Sequence, residues 1–278
     1  MKIGYTVWTW LSDEYNNWEQ SKKPKADFEQ ALREISHLGY QTVENFNWFA
    51  EYYENDIEGF KALLKKYNLE FVNLYHYFSG NFEEDYQKAE RYCKFLQKAG
   101  VKLMNLQGFL WMDKPFIRSL DVAAVKDYAE KSNKIGKMSQ EYGVTVCMHP
   151  HSNTSIFHED EIDCFLENTD PRYVRLALDT AHTTLAGMDP VKAFDKYYDR
   201  LGYVHLKDID PNPNAHPEWP MRRFLALGQG CIDFKGIVDV LKKKGYDGVL
   251  CVELDYQRVC NYESAQYSRN YIKNVLGM

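Results

Sequence analysis

The 278-residue chain has no Lys/Arg-rich run, and its formal net charge is −6. A nucleic-acid surface needs a clustered positive field, so no nucleic-acid partner is expected. No apolar stretch approaches the roughly 20 residues that span a bilayer, so no membrane partner is expected. The opening MKIGYTVW lacks a charged segment followed by an apolar one, and no signal peptide is read there. The six cysteines, at 93, 147, 164, 231, 251 and 260, form no CxxC pair. Cys147 and Cys251 fall in strand-like runs, and buried reduced thiols in a cytoplasmic protein are the simplest account. No Pro/Gly/Ser linker and no compositional break divides the chain, so one domain over residues 1–278 is expected.

What the chain does contain is globular: 45% hydrophobic and 27% charged residues. Aromatics reach 15%, a surplus that lines hydroxyl-rich clefts or, more plainly, fills the core. Short apolar runs alternate with amphipathic stretches from end to end. Eight runs read as strands: Lys2 to Trp8, Thr42 to Asn45, Glu70 to Tyr75, Lys102 to Gln107, Val144 to His149, Val174 to Asp179, Tyr203 to Leu206 and Val249 to Glu253. Between them, Phe28, Ala31, Leu32, Ile35 and Leu38 recur at helical spacing, as do Phe234, Ile237, Val238 and Leu241. HLGY, KAGV, EYGV and KKGY each place a glycine where a helix turns into the next strand. Eight β units, each followed by a helix, predict an α/β fold of the (β/α)8 TIM-barrel type. Three strand-to-helix loops look long: Thr9 to Pro24, Gly108 to Leu120, and Lys207 to Ala226. Within the last, Asp208 to Arg223 reads as a lid or rim, or as an oligomer contact. LGQGCIDF reads as scaffold, with Asp233 capping the helix that begins near Phe234.

Polar residues end the later strands. His149 ends the fifth, Asp179 the sixth, His205 lies in the end of the seventh and Glu253 ends the eighth. Neighbouring strands lie roughly 4.8 Å apart, so side chains from their ends can reach one ion. A lone His there usually packs, and a lone Asp usually caps a helix; four at one level of consecutive strands point to a metal. Two carboxylates and two imidazoles suit Mn²⁺, Co²⁺, Fe²⁺ or Zn²⁺ and disfavour Ca²⁺.

The segments LALDTAHTTLAGMDP, YVHLKD, LGQGCIDF and VLCVEL, over Val144 to Glu253, resemble the xylose-isomerase-like superfamily of sugar isomerases and epimerases. MHPHSNT, LDTAH, LAGMDP and HLKD look most like its inosose dehydratase branch. That resemblance implies dehydration of 2-keto-myo-inositol with Mn²⁺ or Co²⁺, with Zn²⁺, Fe²⁺ and Mg²⁺ as further ions. It carries the metal positions over to His149, Asp179, His205 and Glu253. It leaves the oligomeric state open, dimers and tetramers being common for this resemblance. Ketose 3-epimerases of the superfamily place a Glu where His149 stands. The pair of carboxylates they use is therefore incomplete here, which favours a lyase over an isomerase or epimerase.

Dehydration beside a ketone needs an electrophile, a base for the α-proton and an acid for the departing hydroxyl. The metal is assigned the first task. His151 and His182 are the candidates for the proton transfers, with Lys207 and Glu253 as further catalytic groups. Glu44, His76, Trp111 and Arg223 are expected at the substrate, and Trp8, Trp10 and Trp48 at an aromatic wall near it. The competing readings are elimination from a 3-keto-glycoside, epimerisation, a repair endonuclease, and a sugar-binding module without catalysis.

Overall fold

The computed structural model describes residues 1–11, 22–110, 120–255 and 258–278. Its strands are β1 (Lys2–Thr6), β2 (Thr42–Phe46), β3 (Glu70–Tyr77), β4 (Leu103–Gln107), β5 (Thr145–Met148), β6 (Val174–Asp179), β7 (Leu201–Leu206), β8 (Asp208–Ile209), β9 (Phe224–Leu225) and β10 (Val249–Val252). Its α-helices are α1 (Pro24–His37), α2 (Ile57–Lys66), α3 (Phe82–Ala99), α4 (Val122–Gln140), α5 (Glu159–Glu167), α6 (Thr180–Leu185), α7 (Pro190–Lys196), α8 (Phe234–Lys244) and α9 (Asn261–Asn274). The hydrogen-bonded strand order is β1-β10-β7-β6-β5-β4-β3-β2, a closed barrel. All eight strands read from the sequence are among them, with ends shifted by a few residues. β1 stops at Thr6 because Trp8–Trp10 turns into a 3₁₀ helix. β5 stops at Met148, just before the His149-Pro150 pair, where proline restricts the preceding residue.

The chain divides into two compact units. In residues 1–72 and 205–278, β1 pairs in parallel with β10 (Gly4 opposite Cys251) and with β2 (Gly4 opposite Thr42). A cluster of rings packs there: Phe28 lies 4.3 Å from Phe49, and Phe60 lies 5.4 Å from Phe71, centre to centre. Each such ring, fully buried, contributes roughly 1.5–3 kcal/mol. Much of the aromatic surplus therefore fills core. In residues 73–204, β3, β4, β5 and β6 pair in parallel, with Tyr75 opposite Asn105 and Asn105 opposite Cys147. Gly136 of α4 allows close packing: a Cβ there would lie 2.6 Å from the Tyr173 carbonyl oxygen.

The glycine signals act as read. Gly100 and Gly245 end α3 and α8 in the left-handed conformation, at φ 79° and 83°. Asp233 caps α8 by accepting the Gly236 N–H at 2.9 Å. In the long 208–223 segment, β8 and β9 pair antiparallel and hold its two ends together. Of the cysteines, Cys93, Cys147 and Cys251 are buried free thiols, whereas Cys231 and Cys260 are exposed, so the expectation of buried thiols holds only in part. Burial pushes the Cys147 thiol up to about 12. Among the described residues, no helix is long and apolar enough to cross a membrane.

Candidate active site

Two buried polar groups are built at the C-terminal ends of the strands. The first belongs to residues 1–72 and 205–278. Glu44 of β2 and His205 of β7 are buried, and His205 Nε2 lies 2.6 Å from Glu44 Oε1. A carboxylate accepts, so the proton of a neutral His205 sits on Nε2 and the lone pair on Nδ1. Nδ1 lies 3.2 Å from Glu253 Oε2, just past β10. Two acceptor-type atoms facing each other are satisfied by a proton or a metal ion between them. Bonds of about 2.0–2.2 Å set two donors of one ion roughly 3.0–3.5 Å apart, so the pair fits a shared divalent ion.

Lys207 joins this group from the other side. Its Nζ lies 3.2 Å from Glu253 Oε2 and 3.0 Å from Asp255 Oδ2, and 4.8 Å from the centre of the Phe224 ring. Its exposure is 0%, so it is fully buried although it follows the end of β7. Trp8 donates its indole N–H to the Asp255 carbonyl at 3.2 Å and packs edge-on against Phe46 and Trp48, at 4.9 and 6.4 Å. These three rings form an aromatic wall beside the carboxylates. Trp10 instead turns to α1, where its N–H reaches Glu34 at 2.7 Å.

The second group belongs to residues 73–204. His149, His151 and His182 are buried, and each offers a ring nitrogen within 4.8 Å of the other two. Although β5 stops at Met148, the His149 N–H still reaches the Leu106 carbonyl, and the His149 and His151 rings are 5.5 Å apart. His149 Nδ1 lies 3.1 Å from the Ala177 carbonyl, so it carries the proton and Nε2 the lone pair a metal needs. Asp179 ends β6 and also caps α6: its Oδ1 accepts the N–H groups of Ala181 and His182 at 2.7 and 2.8 Å. Oδ2 takes no part in that cap. His182 thus bonds through its backbone at the helix start while its ring joins the histidine group, 5.5 Å from His149. Tyr75 packs against His149 at 5.5 Å and bonds Gln107 through its hydroxyl, and neither residue stands out in the sequence.

Three residues expected at the substrate have these partners in the fold. Glu44 holds His205. His76 turns to α3: its Nε2 faces the Asp85 carbonyl at 3.1 Å and its ring packs on Tyr92. Burial holds the His76 imidazole down at about 4, so it stays neutral in the fold. Arg223 clamps the long loop, donating from Nε and Nη2 to the Asp210 carbonyl at 3.2 and 2.7 Å. Trp111 lies outside the described residues.

Similarity to known proteins agrees with this architecture. The curated inosose dehydratase of Mesomycoplasma hyopneumoniae (strain J) is 29% identical over 300 residues, covering 99% of this chain and 96% of its own. Among solved structures, the IolI protein with a bound zinc atom superposes with a TM-score of 0.78 at 16% identity, covering 100% of this chain and 98% of its own. A D-allulose 3-epimerase from Methylomonas sp., in complex with D-allulose, gives 0.73 at 18% identity, with 99% and 96% covered. At such identities the two structures speak for the fold alone. A family model described as xylose isomerase-like TIM barrel matches residues 32–275. The chain belongs to the xylose isomerase-like TIM-barrel family, and its fold is the eight-stranded (β/α)8 barrel.

Proposed function

We propose that this chain is a divalent-metal-dependent hydro-lyase that removes water from a keto-cyclitol or keto-sugar of the inosose type. Its single domain, residues 1–278, holds the ion through His149, Asp179, His205 and Glu253. The observation that carries the reading is His205, fixed by Glu44 through Nε2 and presenting Nδ1 to Glu253. The mixed nitrogen and oxygen donors suit Mn²⁺, Co²⁺, Fe²⁺ or Zn²⁺, and the resemblance to inosose dehydratases favours Mn²⁺ or Co²⁺ among them. Similarity to inosose dehydratases over nearly the whole chain supports the substrate class.

When bound, the ion polarises the substrate carbonyl and offsets charge developing on its oxygen. The chain's own residues do the rest. The wall of Trp8, Phe46 and Trp48 receives the C–H face of the ring. Lys207, buried and ion-paired with Glu253 and Asp255, directs an N–H toward a substrate oxygen. His151 and His182 stand where the α-proton and the departing hydroxyl are handled. The free thiols buried at Cys93, Cys147 and Cys251 suit a reducing compartment, and the cytoplasm is the proposed location.

The test is metal analysis of the purified protein, followed by incubation of the metal-loaded and chelated forms with inosose. Metal-dependent loss of water, seen as absorbance of the unsaturated product, is expected. Solvent deuterium in a recovered epimer with no loss of water would replace the lyase by an epimerase. A protein that binds no transition metal would remove the basis of both.

A further inference from the structure

His151 and His182 stack with their ring centres 4.0 Å apart, and both approach His149. Such a trio can serve as a three-histidine ion site or as a group that handles protons. The backbone around it decides between these uses. A neutral imidazole holds one proton on two nitrogens. A nitrogen facing a carbonyl must carry that proton, and a nitrogen facing an N–H must carry the lone pair.

The backbone of Ser152 touches both rings, with opposite polarity. Its carbonyl lies 2.7 Å from His151 Nδ1, so His151 holds its proton on Nδ1 and its lone pair on Nε2. Its N–H donates to His182 Nδ1 at 3.3 Å, so His182 holds its proton on Nε2. A three-histidine ion site needs a lone pair from every ring, and His182 Nε2 presents a proton instead. Ser152 is itself held. The His151 N–H bonds the Ile156 carbonyl at 3.0 Å, and Thr154 Oγ1 donates to the His151 carbonyl at 2.7 Å. Asn153 closes the turn at φ 59°, a left-handed conformation that Asn tolerates better than most residues.

We infer that Ser152 divides the work between the two histidines: His151 carries the proton and His182 is a neutral hydrogen-bond donor. This rests on the dehydration reading above. The substrate C–H bond breaks and its proton goes to His151 Nε2. The electron pair left on carbon forms the new C=C bond as the C–O bond to the departing hydroxyl breaks. That hydroxide takes the proton from His151 Nε2 and leaves as water, so His151 ends as it began. His182 Nε2–H stays on its ring throughout and bonds a substrate oxygen. The assignment rests on which backbone group faces each ring.

Two measurements test it on the full-length protein. The first is ¹⁵N NMR of histidine-labelled wild type, with His151 and His182 assigned from the spectra of His151→Gln and His182→Gln. Opposite neutral tautomers are expected, Nδ1–H for His151 and Nε2–H for His182. Equal tautomers, or the reverse pair, would overturn the inference whatever the protein's activity. The second is turnover of inosose by the same two variants. Glutamine keeps an N–H donor but takes no proton. His151→Gln should lose about 100- to 10,000-fold in kcat and stop exchange of the α-proton with D₂O. His182→Gln should lose about tenfold, following ordinary hydrogen-bond strengths, and still exchange that proton. Equal losses, or exchange surviving only in His151→Gln, would overturn the division of roles. A wild type that dehydrates no keto-cyclitol would instead sink the dehydration reading, with the NMR result still deciding the tautomers.

Discussion

At the residue level, Glu44 shows what a sequence read strand by strand leaves out. The end of β2 is a reasonable place for a substrate contact, and the type and level of the residue are legible. Its partner is not, because Glu44 and His205 are 161 positions apart and only the fold brings them together. A carboxylate on the distal nitrogen of a metal-bound histidine sets its tautomer and raises its basicity, and losing one typically costs 10–100-fold in affinity. Glu44→Ala should therefore weaken Mn²⁺ binding by about that factor in calorimetry, and Glu44→Gln, which keeps an acceptor, by less. Equal affinity in Glu44→Ala and wild type would show that His205 needs no such support. His76 illustrates the same limit, since alternation along β3 sends it to α3 while Tyr75 faces His149. It also makes a pH prediction. Its imidazole is held at about 4 in the fold, chiefly by burial, against an ordinary value of 6.5. The unfolded chain thus takes the proton first, and stability falls as pH drops from about 6.5 toward 4, by on the order of 3 kcal/mol. Urea unfolding across that window should give a shallower slope for His76→Gln than for wild type. Parallel slopes would mean that His76 is not the group responsible.

At the level of elements, all eight barrel strands and the glycine caps are legible because each rests on local chemistry: an apolar run, or a residue that accepts positive φ. The β8–β9 pair is not, since two-residue strands carry no period. LGQG reads as scaffold, but its purpose is hidden in the sequence. The structure shows that this stretch wraps the buried Asp208 carboxylate, which accepts N–H groups from Gly228, Gly230 and Ile232 as well as from Ile209, at 2.8–3.2 Å. Burial raises the Asp208 carboxyl above its ordinary range, and these four N–H groups pull it back. The cradle leaves no room at Gly230, where a Cβ would lie 2.3 Å from the Ile209 carbonyl oxygen and 2.4 Å from Asp208 Oδ1. A backbone oxygen cannot swing aside as a flexible side chain does. Gly230→Ala should cost about 1–3 kcal/mol. Asp208→Ala, which strips the N–H groups of their acceptor, should cost at least as much, at about 1–3 kcal/mol for each group left buried and unpaired. Thermal unfolding checks both, and an unchanged midpoint in Gly230→Ala would contradict the close approach.

For the whole molecule, the sequence points to one domain because it has no linker, while contacts within the fold group into two units. The boundaries between them fall at Val72 and Val204, inside β3 (Glu70–Tyr77) and β7 (Leu201–Leu206). A strand cut in its middle cannot keep half its ladder while the other half melts without exposing buried backbone groups. Neither unit is therefore expected to unfold by itself, and the chain should unfold in one cooperative step. The tryptophans make this measurable. Five of the six tryptophans, at positions 8, 10, 18, 48 and 219, fall in residues 1–72 and 205–278, whereas residues 73–204 contain only Trp111. Tryptophan emission thus reports mainly one unit, and far-UV circular dichroism reports both. Coincident denaturant midpoints from the two signals are the expected result. An emission change that separates from the loss of helix would show that the strands at the boundaries part, and that the barrel unfolds in two stages.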